Sequence, residues 1–170
     1  MIVNLKTLIA LAPIKGMVGS KQVGNGVSWG LSETGYDIRM KQEVKFTVTD
    51  RGFRRVRIQD PEPEGRASTF TGTFVRASSV EEFDMPDNLA AVVHDKSTWA
   101  RKGLSVLNTV IEPGWRGFLT LELNYFGNKT LVIPAGSGIA QVLFHEVANP
   151  IRYEGKYQDQ PDRPVSAKES

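Results

Sequence analysis

The chain has 170 residues, 40% of them hydrophobic and 24% charged, which suits one globular domain and is too short for two comfortable ones. It has no cysteine, which excludes a disulfide scaffold, a thiol nucleophile and any zinc or iron site built on thiolates. The net charge of +2 is far from the basic excess of a non-specific nucleic-acid coat. We therefore expect a single soluble domain over residues 1–170, located in the cytoplasm, with no nucleic-acid partner.

The N-terminal segment predicts a short helix over Leu5–Leu11 that is ended by Pro13. Its apolar stretch is shorter than the roughly 7–15 residues of a signal peptide's apolar region, and Pro13 stands where cleavage would occur, so no signal peptide is expected. No apolar run approaches the ~20 residues that span a bilayer, so no membrane segment is expected. The glycine-rich stretch 16–30 is interpreted as a loop, and residues 1–34 receive no function.

Beyond Tyr36, short runs of alternating or β-branched residues are separated by turn residues. Asp50-Arg51-Gly52 predicts a turn, and the prolines of Asp60–Gly65 exclude a central strand there. Several short strands at regular spacing predict an all-β sandwich or barrel with one or two short helices. The predicted strands are Val44–Val48, Phe53–Ile58, Thr69–Val75, Leu89–Val93, Leu104–Ile111, Phe118–Leu123, Thr130–Ile133 and Ile139–Phe144.

The C-terminal tail, Ala148–Ser170, holds three prolines, many charges and few large apolar side chains. Such a segment cannot bury itself and is predicted to be mobile without a ligand or a partner subunit. It nevertheless carries an aromatic and polar cluster over Tyr153–Gln160. A lid that closes over a bound ligand would use such residues, so residues 148–170 are predicted to form a flexible C-terminal lid.

The segment Lys96–Gly103 lies between two predicted strands and fits one or two helical turns, with Ser97 as the N-cap and Gly103 just past the end. The free amides of such a turn accept an anion, Ser97 and Arg101 share one face, and Lys96 adds positive charge. One interpretation is a turn that binds phosphate. The other is an ordinary capped connector with solvated lysines, which is the commoner case for this spacing.

Glu122 lies in the alternating run Phe118–Leu123. The alternation places Phe118, Thr120 and Glu122 on one face and the leucines at 119, 121 and 123 on the other, which would face the core. A carboxylate in a sheltered groove tends to have a raised pKa, which suits a general base. A lone glutamate on a strand is more often a surface residue, and both interpretations stand at this point.

Three further features have a structural interpretation. Pro113 and Gly114 occupy the second and third positions of a predicted turn, and Trp115 after them is expected to be buried. His94 and His145 each stand alone in the sequence, so both are interpreted as structural histidines. With only two histidines, a three-histidine metal cage is excluded.

Five segments, in their order along the chain, resemble the dCTP deaminase family, which belongs to the dUTPase-like superfamily of homotrimeric β-barrels. The Lys-Ser-Thr-Trp-Ala-Arg and Thr-Leu-Glu stretches are the most specific parts of this resemblance. It implies a dUTPase-like distorted jelly-roll β-barrel. The five segments are Gly35–Arg39, Lys96–Leu104, Ile111–Glu122, Gly138–Phe144 and Gly155–Gln160.

The resemblance implies hydrolytic deamination of dCTP to dUTP and ammonia, which feeds dUMP and dTTP synthesis, in a homotrimer whose subunits share active sites. It also implies that Mg²⁺ binds through the substrate's triphosphate, with no metal ligand from the protein and no zinc. Zinc-type deaminases need His and Cys ligands to activate water, and this chain lacks cysteine. A carboxylate must therefore do that work. The resemblance further implies dTTP as a candidate feedback inhibitor.

Individual roles also follow from the resemblance. Glu122 would be the general base and acid, Ser97 would orient the water, and Arg101 would hold the glutamate and the substrate. Residues 96–101 would bind phosphates, Gln141 would bind the substrate, and three tail residues would close over the triphosphate. The substrate-binding set is Lys96, Ser97, Thr98, Trp99, Ala100, Arg101, Thr120, Leu121, Glu122, Gln141, Tyr153, Lys156 and Gln160.

Other functions remain open. A plain dUTP diphosphatase would need an aspartate base ahead of a stacking tyrosine and a glycine-rich, phenylalanine-bearing arm, and neither Glu112–Trp115 nor Gly155–Gln160 fits. A bifunctional enzyme that converts dCTP to dUMP shares the fold and most of the site. The non-enzymatic alternative is a catalytically silent trimer that binds a nucleotide or a protein, and the retained Glu122, Ser97 and Arg101 argue against it.

Overall fold

A computed structural model describes residues 1–62 and 65–169. The described residues form fourteen strands and two short helices, which is the all-β architecture that the turn spacing predicts. The helices are α1 (Leu5–Leu11) and α2 (Ser97–Ala100). The strands are β1 (Ile2–Val3), β2 (Lys21–Gly24), β3 (Val27–Leu31), β4 (Tyr36–Arg39), β5 (Glu43–Val48), β6 (Arg54–Gln59), β7 (Ala67–Thr71), β8 (Phe74–Asp84), β9 (Leu89–Asp95), β10 (Leu104–Val106), β11 (Val110–Ile111), β12 (Arg116–Tyr125), β13 (Leu131–Ile133) and β14 (Gly138–Glu146).

The strands form three antiparallel sheets. The largest has the order β11-β9-β14-β4-β3-β2, and β1 also pairs with β14. A three-stranded sheet has the order β10-β12-β8, and a four-stranded sheet has the order β13-β5-β6-β7. Strand neighbours in space are therefore often distant in sequence, as in jelly-roll topologies.

The N-terminal third confirms one prediction and corrects another. Helix α1 covers the predicted residues, buries Leu8 and ends at Ala12 in a left-handed conformation before Pro13. The stretch interpreted as a loop instead forms the hairpin β2–β3. Its turn is Asn25-Gly26, and both residues have positive φ, as the two-residue turns favoured by twisted hairpins require.

Two other strand boundaries differ from prediction. The run predicted as one strand over Thr69–Val75 is broken at Gly72, which has φ of +116°, and β8 then continues to Asp84 through residues that were not predicted as strand. The run Leu104–Ile111 is two short strands, β10 and β11. The turn at Gly52 is confirmed by its positive φ and by a hydrogen bond from its amide N–H to the Thr49 carbonyl at 2.8 Å. Residues 63 and 64 of the predicted proline loop lie outside the described residues.

The core joins the three sheets. Ile38, Phe83, Leu121 and Phe144 have 2% or less of their surface exposed, and a fully buried side chain of this size contributes about 1.5–3 kcal/mol. Tyr125 of β12 packs on the Phe46 ring of β5 with centroids 5.1 Å apart. Strand β12 is therefore fixed from its inner face, and its other face is free to carry a site.

The alternation predicted for β12 is broken at one point. Phe118 pairs with Glu82 and Thr120 with Ser78, so three residues of β8 lie opposite the single residue Leu119. Leu119 is buried as predicted. It does not lie on the core side alone, however, because it also lines a cavity that Glu122 lines.

Neither helix of the described chain has the length and apolar character that crossing a bilayer demands.

Candidate active site

A cavity of about 530 Å³ lies where β8, β12, the segment before Trp115 and the C-terminal tail meet. Glu122 and Thr120, two residues apart on β12, both line it. The Glu112–Trp115 turn forms part of the wall and matches its prediction, since the Trp115 amide bonds the Glu112 carbonyl, Gly114 has positive φ and Trp115 is buried. The lining residues are Phe74, Arg76, Thr109, Val110, Ile111, Glu112, Trp115, Leu119, Thr120, Glu122, Tyr153, Tyr157, Gln160, Val165, Ser166 and Ala167.

Glu122 has the electrostatic setting of a proton-transfer group. Burial raises the pKa of its carboxyl, while a hydrogen bond from its own backbone and the positive charge of Arg76 lower that pKa in part. A raised pKa brings a carboxyl closer to neutral pH, where it can both accept and return a proton. Glu122 is half-buried in this cavity, so the interpretation of a merely solvated surface glutamate does not fit.

The C-terminal tail packs along β12 and covers the cavity. The Trp115 indole N–H donates to the Tyr157 carbonyl at 2.7 Å, and Gln160 forms a parallel bridge with Gly117. Further along, the Val165 amide donates to the Thr120 hydroxyl at 3.0 Å. The tail is thus in a position to act as a lid, while its mobility stays a prediction.

The three predicted lid residues differ in their placement. Tyr153 and Gln160 line the cavity. Lys156 is exposed, and its ammonium donates to the Lys168 carbonyl at 2.6 Å. Tyr157 lines the cavity and was not singled out from the sequence, although it follows Lys156 directly.

Helix α2 forms a second cluster of predicted site residues. Its N-cap is Lys96, and Ser97 is the first helical residue, so the predicted Ser97 cap is shifted by one position. Gly103 has φ of +87° and its amide bonds the Ala100 carbonyl, which confirms it as the glycine that ends the turn. Trp99 is buried and its indole N–H donates to the Gly138 carbonyl at 2.7 Å.

The outer side of this turn is open. Ser97, Thr98, Ala100 and Arg101 are all exposed. The described residues that line the Glu122 cavity include none of these four. The exposed hydroxyls and guanidinium are available to a ligand or to another subunit.

The inner side of the turn is closed by an ion pair. The Lys96 ammonium bonds the Asp37 carboxylate and donates to the Ser28 hydroxyl at 3.1 Å, and only 10% of the Lys96 side chain is exposed. The ammonium predicted to bind phosphate is therefore already paired within the protein. The other Asp37 oxygen, Oδ1, is buried and lacks a hydrogen-bond partner among the described residues. Gln141 lies opposite Asp37 on β14, and its amide donates to the Ser32 hydroxyl at 3.1 Å.

One protomer therefore brings together only part of the predicted site. Glu122, Thr120, Tyr153 and Gln160 share the cavity, whereas the residues of α2 and Gln141 belong to the second cluster. Leu121 is buried in the core. Within residues 1–62 and 65–169, no three His, Asp or Glu side chains converge so that they could hold a metal ion.

The fold and the cavity define a class: a small antiparallel β-protein in which a half-buried strand carboxylate lies under the chain's own C-terminal tail. The family model described as dCTP deaminase-like matches residues 14–147. The chain belongs to the dCTP deaminase-like family, and the resemblance found in the sequence is confirmed.

Curated relatives match most of the chain. It is 39% identical over 156 residues to the dCTP deaminase of Campylobacter curvus, with 82% of each chain covered. It is 35% identical over 167 residues to the dCTP deaminase of Acidobacterium capsulatum, with 86% of this chain and 88% of that protein covered.

Solved structures share the fold at low identity. The 2′-deoxycytidine 5′-triphosphate deaminase of Agrobacterium tumefaciens matches with a TM-score of 0.56 at 15% identity, over 86% of this chain and 48% of that chain. A mutant dUTPase of Staphylococcus bacteriophage 80alpha matches with a TM-score of 0.51 at 12% identity, over 92% of this chain and 95% of that chain. The predicted dUTPase-like jelly-roll fold is confirmed.

Proposed function

We propose that the protein is an enzyme that deaminates dCTP hydrolytically to dUTP and ammonia. The observation that carries the proposal is the half-buried Glu122, whose pKa is raised by burial inside a cavity. Its support comes from relatives named dCTP deaminase at 35–39% identity over most of the chain. The absence of cysteine points to a carboxylate as the group that activates water.

In the proposed mechanism, Glu122 takes a proton from a water molecule as that water attacks C4 of the cytosine ring. Glu122 delivers that proton to N3, then takes the second water proton from the new C4 hydroxyl and passes it to the amino group. The C4–N bond breaks as the C4 carbonyl forms and ammonia leaves, so that one water is consumed for each ammonia released. A carboxyl with a raised pKa suits this cycle because it must act as a base first and as an acid afterwards. General acid–base help of this kind is typically worth about 10²–10⁴-fold in rate.

The proposed active site is shared between subunits of a homotrimer. Ser97 would orient the attacking water and Arg101 would hold Glu122 and the substrate, yet neither lines the cavity of its own protomer. Their exposure is what a residue donated to a neighbour requires. Leu107 and Val110, next to the cavity segment, are 45% and 56% exposed, which suits burial against a second copy.

The proposed substrate is the magnesium complex of dCTP. Mg²⁺ usually keeps several waters and binds substrate phosphates together with at most one or two carboxylates, so the triphosphate can carry it into the site. Thr98 and Arg101 on the open side of α2, the backbone of residues 96–101, and Lys156 and Gln160 of the tail would contact the phosphates. We propose a cytoplasmic location and dTTP as a feedback inhibitor that competes with dCTP.

The decisive experiment measures ammonium release and the nucleotide product from dCTP and Mg²⁺. The Glu122→Gln variant should lose at least about 100-fold in rate. Glu146→Gln, an exposed strand glutamate far along β14, serves as the matched control and should match the wild type. Equal rates in Glu122→Gln and wild type would remove Glu122 from its role. No ammonium from the wild type would favour a silent binding protein.

The same reaction separates the remaining enzymatic alternative. Pyrophosphate and dUMP appearing together with ammonium would identify a bifunctional enzyme. Size-exclusion chromatography with light scattering gives the oligomeric state, for which three copies are expected. Added dTTP should lower the rate of ammonium release.

A further inference from the structure

We infer that Arg76 is a positioning residue for Glu122: its guanidinium holds the carboxylate in the ionised form that accepts the water proton, and the C-terminal tail holds the guanidinium in place through Ser166. The inference rests on the proposed function and assigns a role to a residue of β8 that no sequence motif marks.

Strand register places the two side chains together. Glu122 of β12 and Arg76 of β8 are direct partners in the antiparallel pair. Residues that face each other in such a pair have Cβ atoms about 4.5–5.5 Å apart and point to the same side of the sheet. Both line the same cavity, which is consistent with that placement.

The charges around Glu122 give Arg76 its importance. The titratable residues that line the cavity are Arg76, Glu112, Glu122, Tyr153 and Tyr157. Among these described residues Arg76 is the only cation. On the side of β10, the contact with Glu122 is uncharged: the backbone amide of Leu107, which follows β10, donates to the backbone carbonyl of Glu122 at 2.9 Å. Burial raises the pKa of Glu122, a hydrogen bond from its own backbone lowers that pKa in part, and Arg76 is the side chain that lowers it further.

The tail anchors the guanidinium. The Arg76 Nη2 donates to the Ser166 hydroxyl at 3.1 Å. The neighbouring Val165 amide donates to the hydroxyl of Thr120, which lies two residues before Glu122. Arg76 is otherwise exposed, and a free arginine side chain samples many rotamers. The packed tail thus orders the cation at the time when it covers the cavity.

The chemical consequence is a wider pH range for the base. A protonated Glu122 cannot accept a proton from water, so activity falls as pH drops through its pKa. Without Arg76 that pKa rises further, and the fall in activity moves to higher pH. A cation that only bound the triphosphate would instead change KM at every pH.

The test compares kcat and KM over a range of pH for the wild type, Arg76→Met, Arg76→Lys and Ser166→Ala. Arg76→Met should lose roughly three- to tenfold more kcat/KM near pH 6 than near pH 8. Lysine should restore most of the loss because it keeps the charge, and Ser166→Ala should fall between wild type and Arg76→Met. Arg57→Met, an exposed arginine on β6, is the matched control and should leave the profile unchanged.

An unchanged pH profile in Arg76→Met, or a rise in KM alone, would overturn the inference. A second readout does not need activity: the NMR titration of the Glu122 side-chain carboxyl carbon, without substrate, should move to higher pH in Arg76→Met. A wild type that releases no ammonium contradicts the proposed function, and the NMR titration then still decides the role of Arg76.

Discussion

Among the described residues, the charged clusters around α2 and around β12 differ in how deeply their charges are buried and in how they are paired. Around α2, Lys96 and Asp37 form an ion pair that is almost wholly buried and tied to Ser28. Around β12, Glu122 is half-buried, and Arg76 opposite it bonds a serine of the tail. The charges of the first cluster are buried against each other, whereas those of the second line a cavity with room for a ligand.

This difference suits the two clusters to different roles, one structural and one in proton transfer. A buried, paired charge fixes a segment in position, since either partner alone would be left desolvated. A half-buried carboxylate with a raised pKa can change its protonation state at little cost. The Lys96 pair therefore sets the position of α2, so that Ser97 and Arg101 on its outer side are presented to the surroundings. The proposed mechanism assigns the proton chemistry to Glu122 instead.

Whether the two clusters meet across a subunit contact can be tested by inactivating each cluster on a different chain and mixing the two variants. Ser97→Ala and Glu122→Gln should each lose more than about 100-fold in ammonium release. Refolding the two variants together in equal amounts should recover about a quarter of the wild-type rate, because a shared site draws Glu122 from one subunit and Ser97 from another, each intact with probability about one half. A mixture no more active than the separate variants would place both residues in one protomer's site.

The contribution of the buried Lys96–Asp37 ion pair can be tested by measuring stability. Lys96→Met leaves the Asp37 carboxylate buried without its cation and should lower the free energy of unfolding by about 3–5 kcal/mol, measured by urea denaturation. Adding Asp37→Leu should restore much of that loss. Lys15→Met, which breaks an exposed pair with Glu82, is the control and should leave the free energy of unfolding nearly unchanged. Equal costs for the two lysines would show that the buried pair is screened by solvent.

Access to the Glu122 cavity depends on the tail that covers it, and Gln158 holds that tail in place. Its amide donates to the carbonyls of Gly114 at 2.9 Å and Tyr153 at 3.1 Å, and its oxygen accepts from the Arg116 amide at 2.8 Å. Gln158→Ala should cost about 1–3 kcal/mol and speed proteolysis within residues 148–169 severalfold.

The control for the tail is Gln22→Ala, a glutamine on β2 whose amide bonds only the nearby Ser20 hydroxyl among the described residues. It should leave proteolysis of the tail unchanged. Cleavage of Gln158→Ala at the wild-type rate would mean that the tail is held by other contacts.

The smallest expected effect concerns the stability cost of Glu122 itself. Because burial raises its pKa in the folded state, the ionised form disfavours folding, and this cost is present above the folded-state pKa. Glu122→Gln should therefore be more stable than the wild type near pH 8, by less than about 1 kcal/mol. The difference should vanish as pH falls below the ordinary pKa of glutamate, where both side chains are neutral. A variant less stable than the wild type at high pH would contradict this.

Several elements could be predicted from the sequence and some could not. The hairpin of β2 and β3 had a readable signal, since Asn25-Gly26 is the dipeptide that such turns favour. The long strand β8 had none, because it carries charges, among them the buried Glu81. Burial raises the pKa of Glu81, but the Arg39 amide at 2.7 Å and its Nε at 2.8 Å bond the carboxylate. A partner 42 residues away makes the buried charge tolerable, and no local pattern shows it.

The order of motifs determined the family, the all-β class and the residue types of the site, because strand alternation and turn chemistry are local and the motif residues carry their chemistry with them. Only the tertiary structure decided which of those residues meet. The pairing of β8 with β12 set Arg76 opposite Glu122, the folded tail closed the cavity, and the buried partner of Lys96 turned its ammonium inward. Each of these depends on contacts between residues far apart in the chain, and those contacts follow from packing rather than from local sequence.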